Sequence, residues 1–272
     1  MTNIYNHDFL SEVRDGDRFE FGANWKNFLS TLNDIRIKAA EASLQDMLNR
    51  QDLKGLTFLD VGSGSGLFSL AARNLGAQVV SFDFDKSSVW CTKHLKETFY
   101  PDDKNWTIME GSVLDKGFLN GLGNFDIVYS WGVLHHTGDM WSALENVKHL
   151  CNNDSQLFIA LYNDQGIASK YWYFVKLSYN KVKIMRPIWT LVHLIYPTLP
   201  SVLLRFVTRR ERPRGMTVWY DLLDWLGGYP FEISKPNQIT DFFESHGFET
   251  QTLVTVGKRM GCNEYVFKKI TK

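Results

Sequence analysis

Three features of the sequence could do chemistry: a run of glycines, an acid that follows at a set interval, and two adjacent histidines. In "FLDVGSGSGLFSLAARNLGAQVVSFDFD", Phe58 to Asp85, the residues Gly62, Gly64 and Gly66 give the spacing G-x-G-x-G just after Asp60. Glycines so placed let the backbone come close to a ligand. A dinucleotide fingerprint reads G-x-G-x-x-G and offers a helix N-terminus to a diphosphate. Here the third glycine arrives one residue early, and the turn has no basic side chain for phosphate. An acid before the turn suits an ammonium group instead, such as the amino-acid tail of S-adenosyl-L-methionine (SAM), a sulfonium nucleoside without phosphate. Asp83 ends the next strand, where a carboxylate accepts hydrogen bonds from both ribose hydroxyls of a nucleoside of either class. The glycine spacing therefore ranks a SAM enzyme above an NAD-dependent oxidoreductase. His135 and His136 come later, in "SWGVLHHTGD". Imidazole titrates near neutrality and suits the removal of a proton from a hydroxyl or an acidic carbon. The competing reading is that one of the two merely packs and hydrogen-bonds a loop.

Such residues act together only if the fold gathers them. Apolar residues at Ile35, Ala39, Ala42, Leu44 and Leu48 predict an N-terminal helix over 34–50. Strands and helices then alternate: "LTFLDV", a helix over 67–74, "AQVVSFD", a helix over 87–98 and "NWTIMEG". "NFDIVYSW", the helix "MWSALENVKHL" and the strand "SQLFIALYN" continue the pattern. Alternation of this kind predicts a parallel, doubly wound sheet with helices on both faces. Right-handed crossovers place the C-terminal ends of its strands on one edge, where ligands bind. The glycine turn, Asp83, the two histidines and the Tyr162–Asn163–Asp164 turn all fall on that edge.

The motifs "LDVGSGSG", "SFDFD", "GSVLD" and "FDIVYSWGVLHHTGDMWSALENV", in that order, resemble the class I SAM-dependent methyltransferases, and within them the ubiquinone and menaquinone methylase branch. The resemblance covers roughly 53–163. It implies an α/β, Rossmann-like sheet of seven strands in the order 3-2-1-4-5-7-6, the last antiparallel, with N-terminal helices and a helical insertion after strand 5. It implies that Gly62, Gly64 and Gly66 pack on the methionine part of SAM, with Asp60 near its amino group, Asp83 on the ribose and Phe84 over the adenine. Ser112, Val113, Leu114 and Asp115 would form the adenine rim, and Trp131 with Gly132 would border the transfer chamber. Many relatives carry Glu-His where this chain has His135–His136, so we assign no metal site. Trp25, in "FEFGANW", is placed to reach back over the cofactor, where an aromatic ring attracts a sulfonium; its alternative is to anchor the N-terminal helix.

After Asn163 the alternation stops. Residues 170–214 hold ten basic side chains and one acid, Glu211, among many aromatics. An uncharged run, "PIWTLVHLIYPTLPSVLL", approaches a membrane span in length, but Pro197 and Pro200 interrupt it. We read the block as a cover with an apolar inner face for a greasy acceptor, ahead of lipid-surface attachment and RNA binding. In "WYDLLDWLGGYPFE", Asp221 and Asp224 share a helix face that Gly227–Gly228 end, either as a substrate lid or as a cap closing the pocket. The helix "KPNQITDFFESHGF" and two strands complete the sheet. The chain thus divides into an N-terminal helical segment (1–52), a cofactor-binding core (53–163), an insertion (164–234) and a C-terminal completion (235–272).

Thirty basic and thirty acidic side chains cancel, so the whole molecule lacks nucleic-acid-like charge. Cys91, Cys151 and Cys262 stand far apart and read as reduced thiols, and the charged start does not read as a secretory signal, which together suggest a cytoplasmic setting. The expected activity is methyl transfer from SAM to a small-molecule or lipid- or sugar-linked acceptor, on oxygen before carbon or nitrogen, with His135 or His136 as base. The rivals are the oxidoreductase and a non-catalytic, membrane-docked module of the same fold.

Overall fold

The structure, a computed structural model, describes residues 9–195 and 218–270. Three helices come first: α1 (Phe9–Asp15), α2 (Gly22–Leu29) and α3 (Asp34–Leu48). The alternating core follows as β1 (Thr57–Val61), α4 (Leu67–Asn74), β2 (Gln78–Asp83), α5 (Lys86–Phe99), β3 (Trp106–Glu110), α6 (Lys116–Asn120), β4 (Phe125–Trp131), α7 (Met140–Lys148) and β5 (Cys151–Tyr162). Then come α8 (Ile167–Lys181), α9 (Met185–His193), α10 (Val218–Gly227), α11 (Pro236–Ser245), β6 (Phe248–Val254) and β7 (Cys262–Lys269). The seven strands lie in the order β3-β2-β1-β4-β5-β7-β6, with β7 antiparallel to both neighbours, as expected.

Central strands are apolar on both faces because helices cover both. Neighbours along β1 point opposite ways: Leu59 enters a core with Val128, Leu157 and Ile159 under α7 and α11, whereas Phe58 enters one with Ile127, Phe158 and α3–α4. Asn33 caps α3 through the Arg36 N–H, and the helix buries Ile37, Ala40, Leu44 and Leu48. The stripe expected from Ile35, Ala39 and Ala42 is therefore corrected: those three are exposed, Ile35 by 79 %, and the buried face is turned away from them. β5 starts at Cys151 rather than Ser155, because Cys151 pairs with Phe125 ahead of an irregularity in the ladder.

A third core, of Trp172, Val175, Tyr179, Leu222, Leu226 and Phe231, ties α8 to α10. Among the described residues no helix is long and apolar enough to cross a membrane. Much of the uncharged run, with Arg209–Arg214, lies outside the described residues.

Candidate active site

Gly62, Gly64 and Gly66 have φ of +77°, +54° and +82°, a region that side chains with a Cβ rarely adopt. A Cβ on Gly62 would lie 2.4 Å from Val133, and one on Gly66 would lie 2.8 Å from the Thr92 backbone. Asp83, half-buried at the end of β2, braces the turn: it accepts the Gly64 N–H at 2.9 Å through Oδ2 and the Asp85 N–H at 2.9 Å through Oδ1. Burial outweighs those bonds and pushes its pKa up to about 6. Asp60 lies deeper. It accepts the Ser69 hydroxyl at 2.5 Å, in a buried chain through Ser81 to the Trp106 indole N–H, and burial pushes its pKa up to about 7.

The remaining rim residues lie beyond β2, β3 and β4. Phe84 meets Phe9 edge-on at 5.4 Å, with the Arg18 guanidinium 5.2 Å from its ring centre. Ser112 accepts the Leu114 N–H, and Asp115 caps α6 through the Phe118 N–H at 3.1 Å. The Val113 side chain is in the core. The Trp131 indole donates to Glu264 at 2.9 Å. Gly132, at φ +75°, faces open space where a side chain would stand.

After β4 a short helical turn buries both histidines, and their hydrogen bonds fix their tautomers. His135 Nδ1 accepts the Tyr162 N–H at 3.3 Å, so its proton is on Nε2, which is buried without a partner among the described residues. His136 Nδ1 lies 2.6 Å from the Pro230 carbonyl, which only accepts, so Nδ1 holds the proton and Nε2 the lone pair. Burial drives both pKa values down, His135 well below its ordinary value and His136 to about 3. The second cause at His136 is Lys176.

Lys176 is fully buried, donates to the Trp225 carbonyl, and stands 4.4 Å and 5.1 Å from the ring centres of Trp225 and Phe231. Desolvation lowers its pKa to about 7, against the pull of Asp224. The sequence reading passed it over. A signal was present, since Lys176 lies four residues after Trp172 and three before Tyr179, on the buried face of α8.

Arg18, Gly22 and Asn24 were passed over as well, and they explain the two odd motifs. Arg18 donates to the carbonyls of His136 and Thr137 at 2.8 and 3.2 Å. Gly22 N–H bonds Asp85 at 2.7 Å, and Asn24 donates to Asp224 at 2.5 Å. Phe21 lies 5.0 Å from the His136 ring, and a Cβ on Gly64 would come within 3.1 Å of the Trp25 indole. "FEFGANW" and "DWLGGYPFE" therefore meet across the sheet edge. Glu232, the last residue of the second motif, accepts the Gly138 and Met140 N–H groups at the start of α7. The Asp221 side chain lies outside the described residues.

Residues 59–157 match the profile of a methyltransferase domain family. That stretch of the chain is therefore similar to a methyltransferase domain. The chain is similar to the ubiquinone biosynthesis O-methyltransferase of Pelagibacter ubique, 29 % identical over 140 residues, which are 50 % of this chain and 55 % of that one. The chain thus spans about half the length of the curated relatives it matches. In fold it is similar to the magnesium protoporphyrin IX methyltransferase of Synechocystis with bound SAM, at a TM-score of 0.57 and 12 % identity over 98 % of this chain and all of that one. It is also similar to the [4+2]-cyclase SpnF, at 0.55 and 11 % identity over 87 % of this chain and 81 % of that one. Identities this low speak for the fold alone, and one fold hosts many reactions.

The magnesium protoporphyrin IX methyltransferase holds SAM, and the residues present in this chain fit that molecule. The turn requires glycine at 62 and 66, Asp83 keeps a half-exposed carboxylate beside it, and the space above Gly132 is open.

Proposed function

We propose that this chain moves a methyl group from SAM to an oxygen of a small-molecule acceptor with an apolar body, with His136 as proton acceptor. The observation that carries the reading is the packing of Gly62 on Val133. It supports the reading by setting the glycine turn against the loop that leads into the short turn carrying His136. Bound SAM supplies a sulfonium that makes its methyl group electrophilic. Gly62, Gly64 and Gly66 would hold its amino-acid part, Asp83 its ribose, and Phe84 with Ser112–Asp115 its adenine. Asp60 braces the turn from beneath through Ser69, and Trp25 and Trp131 flank the chamber beside Gly132.

Transfer of this type needs chiefly alignment and the loss of one proton. The Pro230 carbonyl keeps the His136 proton on Nδ1, which leaves the Nε2 lone pair for the acceptor's proton. Burial and Lys176 hold its pKa at about 3, below the neutrality expected from its type, so the step calls for an acidic hydroxyl and a neutral Lys176. His135 supports the pair from below by fixing the Tyr162 backbone. The aromatic surroundings of Lys176 and the likeness to a ubiquinone O-methyltransferase support an apolar, hydroxyl-bearing acceptor.

The test pairs calorimetric titration of SAM with turnover on a panel of hydroxyl-bearing acceptors, ubiquinone precursors first. His136→Ala should bind SAM like the parent and lose roughly a hundredfold or more in kcat, the usual range for a general base. Full turnover in that variant removes the base assignment, and failure of the parent to bind SAM removes the whole reading.

A further inference from the structure

α8 and α9 show the outside a face unlike the rest of the molecule. On α9, Ile188 and Leu191, with Ile184 and Ile195 at its two ends, follow the spacing of a single helix stripe. They point outward: Ile184 is 69 % exposed and Leu191 58 %. On α8, Ile167, Tyr171 and Phe174 are exposed as well. Trp189 joins the two sets, with its ring 6.4 Å from Tyr171 and 6.3 Å from Phe174, and its indole N–H bonded to Ser178 at 2.8 Å. The patch is therefore continuous, and Ile184, Ile188, Leu191 and Ile195 stand on its outer side, away from the core between α8 and α10. Trp189, Leu194 and His193 turn inward from α9 and its C-terminal end toward Trp172 and the core that ties α8 to α10.

The charge around the patch is one-sided. Residues 165–195 contain five basic side chains and no acid. Lys176 is buried and Lys181 pairs with Asp17 at 2.5 Å, while Lys170, Lys183 and Arg186 are exposed. Large exposed apolar surfaces mark interaction sites. An apolar stripe rimmed by aromatics and by basic groups of its own two helices fits the boundary of an anionic bilayer. A second copy of the chain fits less well, because a two-fold contact would set the same bases against each other.

We propose that the outer face of α8 and α9 docks this protein on an anionic lipid surface. The inner face of α8 carries Trp172 and Lys176 beside Tyr162 and Trp225, so docking would bring the candidate chamber to within about one helix diameter of the headgroups. The inference stands apart from the methyl-transfer reading, because it concerns a surface whose occupation can be measured without turnover.

The experiment is co-sedimentation of the full chain with phosphatidylcholine vesicles, with and without phosphatidylglycerol. Sedimentation velocity in the absence of lipid runs beside it. The expected result is binding at least about tenfold stronger to the anionic vesicles and weakened by salt. Ile188→Glu/Leu191→Glu should abolish it, and Lys170→Glu/Lys183→Glu should remove the preference for anionic lipid, with melting temperature and SAM affinity unchanged in both. Equal and weak binding to both vesicle types overturns the proposal. So does lipid binding unaffected by the variants, or a concentration-dependent dimer that Ile188→Glu/Leu191→Glu dissolves in place of any lipid binding.

Discussion

At His136 the choice of tautomer decides what the side chain offers. With Nδ1 committed to Pro230, Nε2 would meet the proposed acceptor as a lone pair, and the charge formed on taking a proton would lie near Lys176. A protonated Lys176 opposes that charge and a neutral one does not. Turnover should therefore rise with pH through the Lys176 pKa of about 7. Lys176→Met, which carries no charge, should flatten that rise in the kcat profile. Asp83→Ala should leave the Gly64 and Asp85 N–H groups without their acceptor, at about 1–3 kcal/mol each, and weaken SAM binding at the same time. Denaturant unfolding and calorimetric titration read the two effects separately. Asp83 and the glycines were legible in the sequence because their chemistry and their spacing agree. Lys176 was not, because a lysine among aromatics reads as a solvated face until the fold shows that α10 covers it.

At the scale of elements, the glycine turn works because it touches two neighbours at once, Val133 and Thr92. Gly62→Ala should lower stability by about 1–3 kcal/mol, from left-handed strain and overpacking, and should reduce SAM affinity. Thermal melts with and without S-adenosylhomocysteine check both. The core strands and helices were readable from alternation, since helix and strand periods differ and each strand ends in a turn signal. The face of α3 was misread because Ile35 is apolar yet exposed, and single exposed apolar residues are ordinary. α1 and α2 left no periodic trace. Only contacts far away in sequence, such as Arg18 to the His136 carbonyl and Asn24 to Asp224, account for their positions.

At the scale of the whole molecule, buried titratable groups set how stability responds to pH. Lys176 titrates at about 7 in the folded chain and near 10.5 in the unfolded one. The unfolded state therefore binds more protons between those values, and stability rises with pH across that window. Cys91 and Cys151, pushed up to about 11 and about 12 from 9.0, act in the opposite sense above pH 9. Denaturation midpoints should therefore climb from pH 7 to 9, and Lys176→Met should remove most of the climb. Sheet order and strand direction followed from the resemblance. The joining of the two odd motifs did not, because no local pattern encodes a contact between residues 24 and 224.

The stretch from Arg18 to Trp25 rests at one end on Gly64 and at the other on His136 and Asp224. On the proposed reading this one segment would border both the donor and the acceptor, so the departure of either would disturb contacts made beside the other. The expected kinetic outcome is compulsory order, with the donor in first and the demethylated donor out last. Product-inhibition patterns should show S-adenosylhomocysteine competing with SAM alone, and Asn24→Ala, by loosening the segment, should push the scheme toward random entry.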